Sequence, residues 1–332
     1  MYQRNKEVEP YNKVLYNNCL YNTLLSACQH FGFNDAFILV NDFFTYKLSE
    51  KKDSIYIDRD VLKIKDDMKL LYELGIDCER NDEGASEFIK TCLERDKLIM
   101  VCIDQFYFHK SAFYERTHSM YHMLLFANRE EEYHALALMD GQCVQTIISE
   151  DELLTGMKKK KKYFPEYIPE FDCFSLYYDT DKLIKNQENY ELIFVSNYIN
   201  CSEKLIACAR LLGQTAEYYA SFDFTALHNT DLEKYSHPVT HMIIAKKVQL
   251  YQNEVLFSNR YEIKQNLLQS LDNMRIVLVA FTKLQLFFRT NREVNPVTDM
   301  LCTQFSKLEK LECEYIDLLE TVCSKRKRII SK

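Results

Sequence analysis

Asn17-Asn18-Cys19-Leu20-Tyr21-Asn22-Thr23-Leu24-Leu25-Ser26-Ala27-Cys28-Gln29-His30-Phe31-Gly32 reads as a helix that begins at a thiol. Apolar positions 20, 24, 27, 28 and 31 follow the helical period, Asn18 is a good N-cap type, and Gly32 suits the left-handed residue after a helix end. The Cys19 sulfur then stands among the unpaired N–H groups and the partial positive charge of a helix start, which favour thiolate over thiol. Cys19 is therefore a candidate nucleophile, and it needs a base.

Two later runs, Tyr121 to Ala127 and Tyr133 to Asp140, read as strands joined by the charged turn Asn128 to Glu132. Paired as a hairpin, they bring His122 beside Asp140. An imidazole can take the thiol proton, and a carboxylate can orient its other nitrogen. Attack on a carbonyl also needs oxyanion donors; the Cys19 N–H is the natural first, and Asn17 or Asn18 is the candidate for the second. Other readings of the same residues are a strand-edge histidine and a turn aspartate, because Asp140-Gly141 is itself a hairpin signal. His118 and His134 compete for the base role with less well placed carboxylates. His109, His118 and His122 match no usual zinc spacing, so no metal is expected. Cysteine on a helix start, histidine on a strand and aspartate closing the next strand resemble the papain-like arrangement.

The 332 residues are 47% hydrophobic and 27% charged, a globular composition with material for one large or two ordinary domains. The densest apolar run, Ile276 to Thr282, is flanked by Arg275 and Lys283, so no membrane span is expected. Met1 to Glu7 lacks the apolar core of a secretion signal. Twelve cysteines are dispersed without a C-x-x-C pair, which fits a reduced, cytoplasmic protein in which Cys28, Cys92, Cys102 and Cys208 are small core residues. A net charge of −7 argues against general nucleic-acid binding, although cations cluster at Lys158 to Lys162 and Lys325 to Arg328.

Helices are predicted over Asp35 to Leu48, Val61 to Leu74 and Ala85 to Arg95, followed by a buried strand from Leu98 to Ile103 that ends at Asp104. After the hairpin come a strand from Cys143 to Ile148, a capping-box helix from Ser149 into the lysine run, and a last strand from Phe171 to Tyr178. No glycine follows Gly213, and amphipathic stretches at Ser202 to Phe222, Val239 to Phe257, Arg260 to Arg289 and Val297 to Lys327, broken at Pro238 and Pro296, predict a helical bundle. Stripes such as Leu267, Leu271, Met274, Leu278, Phe281 and Phe288 are read as core, with dimerisation or partner docking through one of them as the lesser alternative. The fold class expected is α+β, with one domain at residues 1–178 and an all-α domain at 179–332.

The stretch around Cys19, the run Ile99 to Phe108 and the hairpin from His122 to Asp140 together resemble the N-terminal domain of the butirosin-biosynthesis acyltransferase family, itself similar to papain-like peptidases. The resemblance covers about residues 15 to 178 and implies transfer of an acyl group from the phosphopantetheine thioester of an acyl-carrier protein to an amine of a specialised metabolite. It implies no bound cofactor. In that reading Cys19 takes the acyl group, His122 handles protons, and Asp104, Phe106 and Tyr107 contribute to a pocket that keeps water out. Lys158, Lys159, Lys160, Lys161 and Lys162 would dock the acidic carrier, unless they are a solvated helix end. The alternatives are a cysteine peptidase or amidase with the same triad, and a non-catalytic binding protein on the same scaffold.

Overall fold

The computed structural model describes residues 7–16, 19–51, 54–80, 85–165, 173–178, 190–224, 229–290 and 295–330. In chain order its elements are α1 (Cys19–His30), α2 (Ala36–Leu39), β1 (Asp42–Lys51), β2 (Ser54–Lys63), α3 (Asp67–Glu73), β3 (Ile76–Arg80), α4 (Ala85–Glu94), β4 (Leu98–Asp104), β5 (Met120–Arg129), β6 (Glu132–Met139), β7 (Gln142–Ser149), α5 (Glu150–Tyr163), β8 (Cys173–Tyr178), α6 (Tyr190–Ser221), α7 (Asn229–Phe257), α8 (Tyr261–Thr290) and α9 (Asn295–Ile330). The class is α+β. The elements form two units, one from Met1–Asp35 with Lys65–Gln187 and one from Ala36–Ile64 with Glu188–Lys332.

The first unit is built on an antiparallel sheet of order β3-β8-β4-β5-β6-β7. All seven residues of β4 are buried, which is why Leu98 to Asp104 reads as a continuous apolar run instead of an alternating one. Side chains of cross-strand partners share a face. Ile99, Val101, Ile103, Met123, Leu125, Ala135 and Ala137 pack in one cluster with Ile89 and Cys92 of α4 and Leu153 and Met157 of α5. The alternate residues Met100, Cys102, His122 and Leu124 lie on the opposite face, and Thr23 of α1 reaches the Met100 sulfur there at 3.4 Å. Helix α1 thus delivers its first residue to the face that carries His122.

Helix α5 starts with the expected capping box: Glu152 N–H donates to Ser149 Oγ at 3.3 Å, and Ser149 N–H donates to Glu152 Oε2 at 3.1 Å. It lies close on β4. A Cβ at Gly156 would come 3.1 Å from Ile103 Cβ and 3.3 Å from the Asp104 carbonyl oxygen, so only glycine fits without a shift.

The second unit packs α6 to α9 around Leu212, Tyr219, Met242, Met274, Phe281, Leu301 and Phe305. Leu267, Leu271, Met274 and Phe281 of the expected core stripe are buried; Leu278 is partly buried, and the Phe288 side chain lies outside the described residues. The hairpin β1-β2 belongs to this unit, with Tyr46 and Ile57 in the same core. Tyr46 Oη donates to Glu312 Oε2 at 2.8 Å, and the same carboxylate pairs with Lys246, so a buried ion pair ties β1 to α7 and α9.

Three expectations are corrected. Residues 42 to 63 are an antiparallel hairpin instead of parts of two helices: aromatic and β-branched residues at Phe43, Phe44, Tyr46, Ile55, Tyr56, Ile57 and Val61 favour extended chain, and Asp42 to Tyr46 are buried in succession. A single cut at residue 178 is replaced by a division in which residues 36–64 join the helical unit. Pro238 lies inside α7 and does not end it. A proline removes only its own N–H and crowds one carbonyl a turn back, while Tyr235, Val239 and Met242 are anchored in the core on either side.

Candidate active site

Cys19 is the first residue of α1 and is partly buried. Its sulfur stands 3.6 Å from His122 Nδ1 and accepts the His122 backbone N–H at 3.3 Å. The pair expected from sequence therefore meets, with one ring nitrogen turned to the thiol. Burial pushes the Cys19 thiol up to about 11, against the lowering effect of N–H donors from His122, Leu20 and Cys19 itself. Burial, with the Lys160 ammonium second, pushes the His122 imidazole down to about 4. The resting pair is thus thiol and neutral imidazole. Loss of solvent here acts against the helix-start donors that favour a thiolate.

Asp140 does not contact His122. The register that pairs Met123 with Ala137 sets Leu138 opposite His122 and carries Asp140 two residues further along. There Asp140 and Gly141, at φ 50° and 78°, form the tight turn between Met139 and Gln142. Its carboxyl is exposed and makes no hydrogen bond or ion pair among the described residues. The turn reading of Asp140 is the one its geometry carries. Asn17 and Asn18 lie outside the described residues.

Residues not singled out from sequence hold the thiol in place. Asn22, one turn into α1 and 1% exposed, accepts Tyr16 N–H at 3.0 Å and donates to the carbonyls of Val14 at 3.0 Å and Tyr11 at 3.3 Å. Ser26 accepts Tyr11 N–H at 2.9 Å. The Asn12 amide pairs with both backbone groups of Cys143 on β7, at 2.8 and 2.7 Å. These bonds lay residues 11–16, the approach to Cys19, across α1 and the sheet. The polar pair Asn22 and Ser26, four residues apart on a helix of mostly apolar residues, is the signal that could have found them.

The pocket candidates have other partners. Asp104 is fully buried and accepts Phe106 N–H at 3.1 Å, Ser119 N–H at 3.1 Å and His118 Nδ1 at 2.7 Å, so its lone pairs are used inside the protein. It organises the turn after β4. His118 lies between the rings of Phe106 and Tyr163, and Phe106 meets Tyr107 edge-on at 5.1 Å. His118 is thus a carboxylate-paired, partly exposed imidazole that sequence reasoning ranked below His122.

The lysine run is split by helical geometry. Lys158, Lys159, Lys161 and Lys162 are exposed, but Lys160 is fully buried and its Nζ donates to the Cys102 carbonyl at 2.6 Å. Burial lowers the ammonium to about 8. Lys160 is therefore removed from any docking patch.

Among the described residues, no group of three or more His, Cys, Asp or Glu is placed to hold a metal, and no helix is long and apolar enough to cross a membrane. The chain matches no protein-family model and no curated protein.

Proposed function

We propose that the first unit is a papain-like, cysteine-dependent acyltransferase that moves an acyl group from a carrier-protein thioester through Cys19 to an amine acceptor. The observation that carries this reading is the 3.6 Å approach of Cys19 Sγ to His122 Nδ1, with the helix bearing the thiol packed on an antiparallel sheet bearing the imidazole. In this reading, sulfur attacks the thioester carbonyl while Nδ1 takes the thiol proton, and the carrier thiol leaves with that proton. The amine then attacks the acyl-enzyme, His122 takes its proton, and the Cys19 sulfur departs and is reprotonated. A neutral imidazole suits a base that must accept a proton at each attack. The His122 N–H, already donating to the sulfur, supports the thiolate as it forms.

Each of the twelve cysteines is a free thiol, which supports a reducing, cytoplasmic location. The exposed lysines 158, 159, 161 and 162 remain the proposed contact for an acidic carrier. The test is incubation of the purified chain with an acyl-carrier thioester and a panel of amines, with Cys19→Ala alongside. Amide formation that needs Cys19 supports transfer. Cys19-dependent cleavage of peptides without transfer replaces it with a peptidase, and no turnover of either leaves a binding protein.

A further inference from the structure

Helix α8 turns an unusual line of side chains to solvent. Tyr261, Leu268, Val279 and Leu286 are 70, 38, 51 and 53% exposed. Tyr261 and Val279 are eighteen residues apart, as are Leu268 and Leu286, and eighteen residues make about five full turns, so the four lie along one line down the helix. In the middle of that line are Asp272 and Arg275, both exposed and 2.8 Å apart. The buried side of the helix, with Leu267, Leu271, Met274 and Phe281, is separately satisfied by the core.

The order of these residues is symmetric about the point between Asn273 and Met274. Tyr261 and Leu286 are equidistant from it, as are Leu268 and Val279, Gln265 and Thr282, and Asp272 and Arg275. A two-fold axis through that point, with a second α8 laid antiparallel, sets apolar against apolar, polar against polar and acid against base. In an isologous contact residue i meets j and j meets i, so one complementary pair is used twice. A parallel pairing would instead set Asp272 on Asp272 and Arg275 on Arg275. The charges therefore choose the antiparallel arrangement. Lys264 and Lys283, on the same lines as Thr282 and Gln265, form the one like-charged mirror pair, and their long stems let the ammonium groups splay apart.

We infer that this face of α8 is a homodimer interface, whose occupant is the α8 of a second copy of this chain, antiparallel and centred between Asp272 and Arg275. The test is sedimentation velocity of the full chain over a concentration series, with thermal unfolding to confirm that each variant is folded. The wild type is expected to dimerise below about 100 µM. Asp272→Arg, which faces two arginines across the axis with two more, is expected to raise the dissociation constant at least about 10-fold, and Leu268→Glu to do the same. The double variant Asp272→Arg/Arg275→Asp restores every cross-axis pair and is expected to recover dimerisation to within about 3-fold. A wild type that stays monomeric, a dimer indifferent to Asp272→Arg and Leu268→Glu, or a double variant no better than the single would each overturn the interface.

Discussion

Cys19 and His122 touch twice: the sulfur accepts the histidine's own backbone N–H at 3.3 Å and faces its ring Nδ1 at 3.6 Å. Both contacts come from one strand residue, so the start of α1 and the start of β5 are fixed to each other and not only near each other.

This pair sets a pH dependence that differs from that of a preformed thiolate–imidazolium. With the thiol raised to about 11 and the imidazole lowered to about 4, both groups are neutral between those values. Alkylation of Cys19 by iodoacetamide is expected to rise steadily with pH from 6 to 10 without an acid-side plateau, followed by peptide mass spectrometry. A plateau beginning near pH 4 would show an ion pair instead.

The same shift predicts acid sensitivity of the fold. His122 binds a proton near its ordinary 6.5 when unfolded and only near 4 when folded, so its contribution to stability is complete above 6.5 and is lost as pH falls through 4. Chemical denaturation across pH 7 to 4 is expected to show a shallower loss for His122→Gln than for the wild type, since glutamine cannot take up the proton.

Asp140 and Asp104 should part company. Asp140 makes no contact with His122, so Asp140→Asn is expected to change the acylation rate less than about 3-fold, whereas His122→Ala should lower it about 100-fold or more. Asp104→Ala strips the acceptor from three donors at a buried site and is expected to cost about 3 kcal/mol of stability, read from urea midpoints.

Asn22→Leu removes three hydrogen bonds, two of them buried, that hold residues 11–16 against α1. The expected loss is about 2 to 3 kcal/mol, with slower Cys19 labelling by thioester at temperatures where the variant stays folded. A variant with wild-type stability would show that the segment is held from elsewhere.

Lysine substitutions separate burial from exposure. Lys160→Glu places a carboxylate against the Cys102 carbonyl in a fully buried site and is expected to cost more than about 3 kcal/mol or to prevent folding. Replacing Lys158, Lys159, Lys161 and Lys162 together by glutamate is expected to change stability by less than about 1 kcal/mol and to raise the KM for a carrier-bound substrate only.

What the chain disclosed by itself follows from which signals are local. The helix at Cys19, the buried run of β4 and the capping box of α5 rest on short-range period and end chemistry, and each stands where expected. The hairpin β1-β2 did not show itself, because Phe43 and Phe44 in succession blur a two-residue alternation toward a helical one. Its place with the helical unit depends on Tyr46 meeting Glu312, a contact across more than two hundred residues. Lys160 looked like its four neighbours because a run of identical cations conceals that one in each turn faces inward. Cys19 and His122 could be paired from residue type and order, but not the solvent loss that keeps them neutral.

The most direct measurement is the intact mass of the chain after brief exposure to an activated acyl thioester. The account predicts one acyl adduct per chain, absent in Cys19→Ala, retained in Cys28→Ala and released when an amine is added. Equal labelling of the wild type and Cys19→Ala, or no adduct on either, would contradict it.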